Sequence, residues 1–230
     1  MKLKPGAALL FDIDGTLADT DPIHLQAFNT AFAPYGHSFD KARFSCELQG
    51  LANVAIAARF VPHLSPEAGM QVLEEKEKLF RELVAEAIHP VPGLFELMDF
   101  ADRHGVPMAA VTNAPRANAE LLLDGLGVRG RFQAIVIGAE LPYGKPHPLP
   151  YLEGLRLLGA DAAHSVAFED SRTGIASAAA AGIATVGIRT SLVHEDLEAA
   201  GAVISVDGYD DPGLQAFIAE RIALRETSSG

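Results

Sequence analysis

Six short runs of continuous apolar residues frame this chain: AALLF at 7–11, PMAAV at 107–111, AIVI at 134–137, SVAF at 165–168, IATVGI at 183–188 and VISV at 203–206. Patterns suited to helices separate most of them, at 93–104, 115–126, 148–158, 172–181 and 192–200. A strand that stays apolar along its length is buried on both faces, and helices between such strands supply the cover. The alternation therefore predicts an α/β fold built on a parallel sheet.

The alternation breaks between about 19 and 91, where helical patterns at 22–33, 52–61 and 66–87 have no convincing strand beside them. In the last of these, Met70, Val72, Leu73, Leu79, Phe80, Leu83, Val84 and Ile88 fall mostly at helical spacing, opposite Glu, Lys and Arg. We expect residues 19–91 to form an all-helical domain inserted after the first strand, with 1–18 and 92–230 as the core. Ala18–Pro22 would lead out, and Pro90, Pro92 and Gly93 would lead back. The closing ETSSG at 226–230 reads as a frayed tail.

Parallel sheets bind ligands beyond the carboxyl ends of their strands. The residues there are Asp12 and Asp14, Thr112 and Asn113, Gly138 and Ala139, and Glu169 and Asp170. Hydroxyl, amide and carboxylates thus gather at one edge. Asp-Gly is a strong turn signal, which explains Asp14-Gly15 in DIDGT but leaves Asp12 without a purpose. In an extended segment, positions two apart face the same side, so both carboxylates can enter one pocket. There they repel each other, and any anion, unless a metal or a lysine neutralises them. Glu169 and Asp170 can complete a hard, oxygen-rich site of the kind Mg²⁺ prefers, and Lys145 in GKP is a candidate counter-charge.

Composition excludes other classes. A net charge of −12 disfavours a nucleic-acid partner, which needs clustered Lys and Arg. No apolar run approaches the roughly 20 residues of a membrane span, and the apolar stretch of MKLKPGAALLF is too short for a signal peptide. Cys46 is the only cysteine, which fits a cytoplasmic protein and a buried structural thiol. GLGVRG at 125–130 matches a dinucleotide fingerprint literally, yet it follows a helix and is expected to be that helix's end. GAELPYGKP at 138–146 has the wrong glycine spacing for a phosphate loop, and Pro146 where Ser or Thr should stand. The eight histidines propose no zinc site, although His24, at the start of the insertion, could overlook the pocket. Ser171 reads as a helix cap.

DIDGT at 12–16, VTN at 111–113, GKPHP at 144–148 and FEDSRTGI at 168–175, in this order, resemble the haloacid dehalogenase superfamily. The resemblance covers nearly the whole chain and is strongest to the subfamily of phosphoglycolate and sugar-phosphate phosphatases and β-phosphoglucomutase. One departure is Leu149, where many such relatives carry an acidic residue that bears on how the Lys145 loop is braced. The resemblance implies a Rossmann-like core with a helical cap. It also implies a Mg²⁺-dependent phosphatase of a small phosphorylated metabolite, a sugar phosphate or a phosphoglycolate-like compound. Asp12 would attack phosphorus to form an aspartyl-phosphate, and Asp14 would act as general acid and then base. Asp12, the Asp14 carbonyl and Asp170 would hold the metal, with Glu169 bound directly or through water. Thr112, Asn113 and Lys145 would hold phosphate oxygens, and the cap would close over them.

Three other readings share these motifs: a 2-haloacid dehalogenase, which would leave Asp14 and Asp170 idle; a silent binding module; and a mutase. A mutase must hold a second phosphate with cap cations, which in β-phosphoglucomutases come from a K-G-x-S-R stretch. The matching stretch here runs from Gln49 to Asn53, and both cationic positions are neutral. Lys41, Arg43 and Arg59 are the candidates to compensate. His24, Gln49 and Asn53 are accordingly the cap residues expected to meet substrate.

Overall fold

The computed structural model describes residues 2–84 and 88–224. Six strands, β1 (Ala8–Phe11), β2 (Met108–Thr112), β3 (Ala134–Ile137), β4 (Ser165–Glu169), β5 (Ala184–Ile188) and β6 (Ile204–Val206), make one sheet. Its order is β3-β2-β1-β4-β5-β6, and every neighbouring pair is parallel. The apolar runs read from the sequence become these strands to within one residue. β1 illustrates why they must be apolar throughout: Leu9 and Phe11 enter one core while Ala8 and Leu10 enter another.

One face of the sheet is covered by α5 (Leu94–His104), α6 (Arg116–Gly125) and α10 (Pro212–Ile222), through residues such as Met98, Leu122 and Ile218. The other is covered by α7 (Leu149–Leu158) and α8 (Arg172–Ala180), through Tyr151, Leu155 and Ala178. A short α9 (His194–Ala200) packs beside α8. The chain builds β2 and β3 on one side of β1, then crosses to β4 on its other side. The carboxyl ends of β1 and β4 therefore flank the point where strand order reverses, where such sheets open a crevice.

Among the described residues, four helices lie between β1 and α5: α1 (Asp21–Phe32), α2 (Lys41–Glu47), α3 (Asn53–Phe60) and α4 (Pro66–Val84). They share a separate core rich in aromatic rings, including Phe28, Phe32, Phe39, Phe44 and Phe60. The far end of α4 leaves that core, and Phe80 and Val84 bury with the sheet instead. The outgoing and returning segments run side by side: Val91 N donates to Leu17 O at 2.9 Å, and Ala18 bridges Pro90.

Two helices, α2 and α10, go beyond the helical patterns read from the sequence. Each is announced by an aspartate cap, Asp40 accepting from Arg43 N and Asp211 from Gly213 N. Cys46 is exposed on α2, not buried as the sequence reading expected, because Phe44 and Leu48 take the inward positions there. Residues 85–87 of the expected 66–87 helix, and the 226–230 tail, lie outside the described residues. Among those described, no helix is long and apolar enough to cross a membrane.

Candidate active site

β1 ends at Phe11, opposite Phe168 of β4, and the two rings stack at 4.6 Å. The register carries Asp12 level with Glu169, and Asp12 N donates to Phe168 O at 3.0 Å. Beyond it the chain turns at Gly15, whose φ of +73° lies in the left-handed region and whose N–H donates to Ala18 O. A Cβ on Gly15 would stand 2.2 Å from Asp170 Oδ2, so the turn also lets this carboxylate approach closely. DIDG is thus both a turn and a carboxylate pair; Asp12 and Asp14 line one cavity.

Asp12, Glu169 and Asp170 bring carboxylate oxygens within 4.8 Å of one another, all buried. Lys145 Nζ donates to Asp12 Oδ1, Glu169 Oε1 and Val111 O, each at 2.6 Å. One lysine against three carboxylates leaves net negative charge in a dry place. Burial first, then the charge of Glu169, push Asp12 up to about 8 despite Lys145. Burial and the charges of Asp21, Asp12 and Glu169 push Asp170 well above the carboxylate range. Burial opposes the Lys145 charge, yet Asp12 and Glu169 hold its pKa above the usual lysine value. Three hard oxygen donors in mutual repulsion fit a divalent cation, which would relieve that repulsion.

Asp14 stands apart from this cluster. Its Oδ1 accepts from Thr20 at 3.0 Å and lies 2.9 Å from His24 Nε2. Its Oδ2 is buried with no hydrogen-bond partner among the described residues. Burial pushes Asp14 up, but the hydrogen bond and charge of His24, then Thr20 and Lys76, bring it below the usual carboxylate range. On the far side of the imidazole, Lys76 Nζ lies 2.9 Å from His24 Nδ1. The ring itself stacks on Phe80 at 3.8 Å.

Thr112 ends β2 and Asn113 follows it, and both line the cavity. Thr112 Oγ1 accepts from Ala114 N at 2.9 Å. The Asn113 amide is engaged with the Lys145 loop: its oxygen accepts from Lys145 N and its nitrogen donates to Lys145 O and Gly50 O. With Ser177 Oγ donating to His147 O at 2.6 Å, this braces the loop without an acid at Leu149.

The helical insert supplies the opposite wall. Gln49 Nε2 donates to Asp170 Oδ2 at 2.8 Å, and Thr173 Oγ1 donates to Gly50 O at 3.0 Å. Asn53 lines the cavity but meets Glu77, its Nδ2 donating to Glu77 Oε1 at 2.9 Å. Lys76 and Glu77, both buried, and Asn118 were absent from the sequence reading. Arg43 and Arg59 pair with Glu47, and neither they nor Lys41 line the cavity.

The sequence pattern of haloacid dehalogenase-like hydrolases matches residues 9–188. Protein CbbY (plasmid) of Cupriavidus necator is 36% identical over 220 residues, 89% of this chain and 86% of that protein. The fructose-1-phosphate phosphatase YqaB of Escherichia coli is 32% identical over 80% of this chain and 96% of its own length. Among solved structures, a mutant CbbY from Rhodobacter sphaeroides in complex with xylulose-(1,5)-bisphosphate superposes with a TM-score of 0.79. It is 30% identical and covers 90% of this chain and 96% of that one.

Proposed function

The chain belongs to the haloacid dehalogenase-like hydrolases, and from that premise we propose a Mg²⁺-dependent phosphatase of a small phosphorylated metabolite, working through an aspartyl-phosphate. The observation that carries this reading is the unlike treatment of two carboxylates on one cavity. Lys145 fixes Oδ1 of Asp12 at 2.6 Å, whereas Asp14 keeps Oδ2 buried without a hydrogen-bond partner among the described residues.

Asp12 attacks phosphorus, and the bond from phosphorus to the leaving oxygen breaks. Asp14 Oδ2, carrying a proton while the dianionic phosphate lies beside it, gives that proton to the departing alcohol. Water then attacks the aspartyl-phosphate, Asp14 takes its proton, and phosphate leaves. The hydrogen bonds from Thr20 and His24 favour the ionised Asp14 that this second step needs. Asp12, Asp170, the Asp14 carbonyl and Glu169 would hold Mg²⁺, which supplies charge neutralisation that lets one anion approach another. Thr112 and Lys145 are assigned to the phosphate oxygens, and Asn113, whose amide is engaged with Gly50 and Lys145, to holding the Lys145 loop beside them.

We assign residues 19–91 to the cap and 1–18 with 92–230 to the core, a division supported by the separate aromatic core of α1–α4. Contacts from Gln49 and Gly50 across to Asp170 and Thr173 suit a cap that excludes water during the first step. A sugar phosphate is the substrate class that the names of the relatives favour. The lone exposed Cys46 accords with a cytoplasmic setting.

Turnover of p-nitrophenyl phosphate is expected to require Mg²⁺ and to vanish in Asp12→Asn without loss of the folded circular-dichroism spectrum. Full activity in excess chelator would overturn the proposal, and metal-independent chloride release from a 2-haloacid would replace it with a dehalogenase.

A further inference from the structure

Glu77 is 5% exposed, lines the cavity, and sits on α4 facing both the insert and the sheet domain. Its Oε1 accepts from Asn53 of α3 at 2.9 Å, and its Oε2 from Asn118 of α6 at 2.6 Å. Lys76 Nζ donates to both oxygens at 3.2 Å. Lys76 is the one lysine that the insert contributes to the lining, and it is already matched: Glu77 faces it on one side, His24 and then Asp14 on the other.

We propose that Glu77 makes the cap end of this cavity selective for an uncharged, hydroxylated leaving group, and turns away a second phosphate or a carboxylate. The inference rests on the phosphatase reading and narrows its substrate class. An anion entering here would meet a buried carboxylate whose lysine is spoken for, and burying a charge without a partner is costly. Discrimination by such an uncompensated charge is stronger than discrimination by lost contacts. A hydroxyl meets different terms. Asn53 Oδ1 accepts no hydrogen bond among the described residues, because Glu77 holds the amide by its nitrogen, so that oxygen is left to accept from a sugar hydroxyl. Phe28, Phe44, Leu51 and Ile56 line the remainder, as suits the C–H faces of a carbohydrate.

The test is equilibrium binding to the Asp12→Asn protein with Mg²⁺, read by calorimetry. Fructose 1-phosphate should bind at least about tenfold more tightly than fructose 1,6-bisphosphate or phosphoglycolate, and Glu77→Gln in that background should bring the ratio within about threefold. A merely structural Glu77 would weaken all three ligands alike and leave the ratio unmoved, which would overturn the inference. So would a bisphosphate or phosphoglycolate that binds as tightly as the monophosphate, or failure of the monophosphate to bind at all. The first comparison needs only the Asp12→Asn protein, so it stands even if Glu77→Gln does not fold. Absence of p-nitrophenyl phosphate turnover by the unmodified chain reports separately on the phosphatase reading.

Discussion

The two oxygens of Asp14 have different surroundings, and that asymmetry bears on which bonds the site can break. Oδ1 is held by Thr20 and His24, so the carboxyl cannot rotate freely, and Oδ2 is buried without a hydrogen-bond partner among the described residues. Proton delivery matters most when the leaving group is a poor one. Asp14→Asn keeps the size and a hydrogen-bonding oxygen but has no acidic proton. It is therefore expected to lose 10²-fold or more in kcat/KM on a sugar phosphate, about the usual worth of general acid catalysis, and clearly less on p-nitrophenyl phosphate. Equal losses on both substrates would make Asp14 a structural residue. The sequence could place Asp12 and Asp14 side by side but could not foresee this difference, because it is made by Thr20, just before α1, and His24 on α1, which reach Asp14, and by Lys76 of α4 behind His24.

Between elements, Gly50 is a backbone position at which the insert meets the sheet domain closely. Gly50 has a φ of +70°, and a Cβ there would stand 2.1 Å from Thr173 Oγ1, the group that donates to Gly50 O. Gly50→Ala should lower the thermal midpoint by about 2–8 °C, the cost of placing Ala in the left-handed region of a chain this size. Its kcat/KM should fall far more, by about tenfold or beyond, since a displaced cap costs the geometry of the whole site; unchanged kcat/KM would show that the contact has no part in turnover. Element by element, the strands were legible because parallel strands must be apolar on both faces. α4 was legible as a helix, but its two charged cavity-lining residues, Lys76 and Glu77, were not. Its buried stripe runs Val72, Leu73, Lys76, Glu77, Phe80, Val84, so the two charged residues sit at the same helical spacing as the apolar ones. EKEK reads as a solvated face until that spacing is followed through it. α2 escaped because seven residues carry too little periodicity to stand out.

Across the whole molecule, the crowded acids should make stability depend on pH and metal together. Asp12 is raised to about 8 from an unfolded value near 3.8, and Asp170 is raised as well, so the folded chain binds more protons than the unfolded one in between. Stability in chelator should therefore fall as pH rises from 5 to 8. Lys145, raised above its ordinary value, stays charged in both states over this window, and the lowered Asp14 and Glu77 contribute fully throughout it; Lys76, lowered by burial, is the group of opposite sign. Mg²⁺ competes with those protons, and should raise the thermal midpoint more at pH 8 than at pH 5. A midpoint indifferent to pH in chelator, with the same Mg²⁺ gain at both values, would show that the acids do not carry this charge. The insert joins the sheet domain through two adjoining roots. It leaves at Leu17–Ala18 and returns at Pro90–Val91, where the two strands of chain already bond to each other. Seen as heredity, this makes the intervening stretch a cassette: a lineage can lengthen it, trim it or exchange it and the sheet still closes beneath. Such an exchange is constrained where Thr20 and His24 hold Asp14, where Gln49 reaches Asp170, and where Phe80 and Val84 dip into the sheet's core.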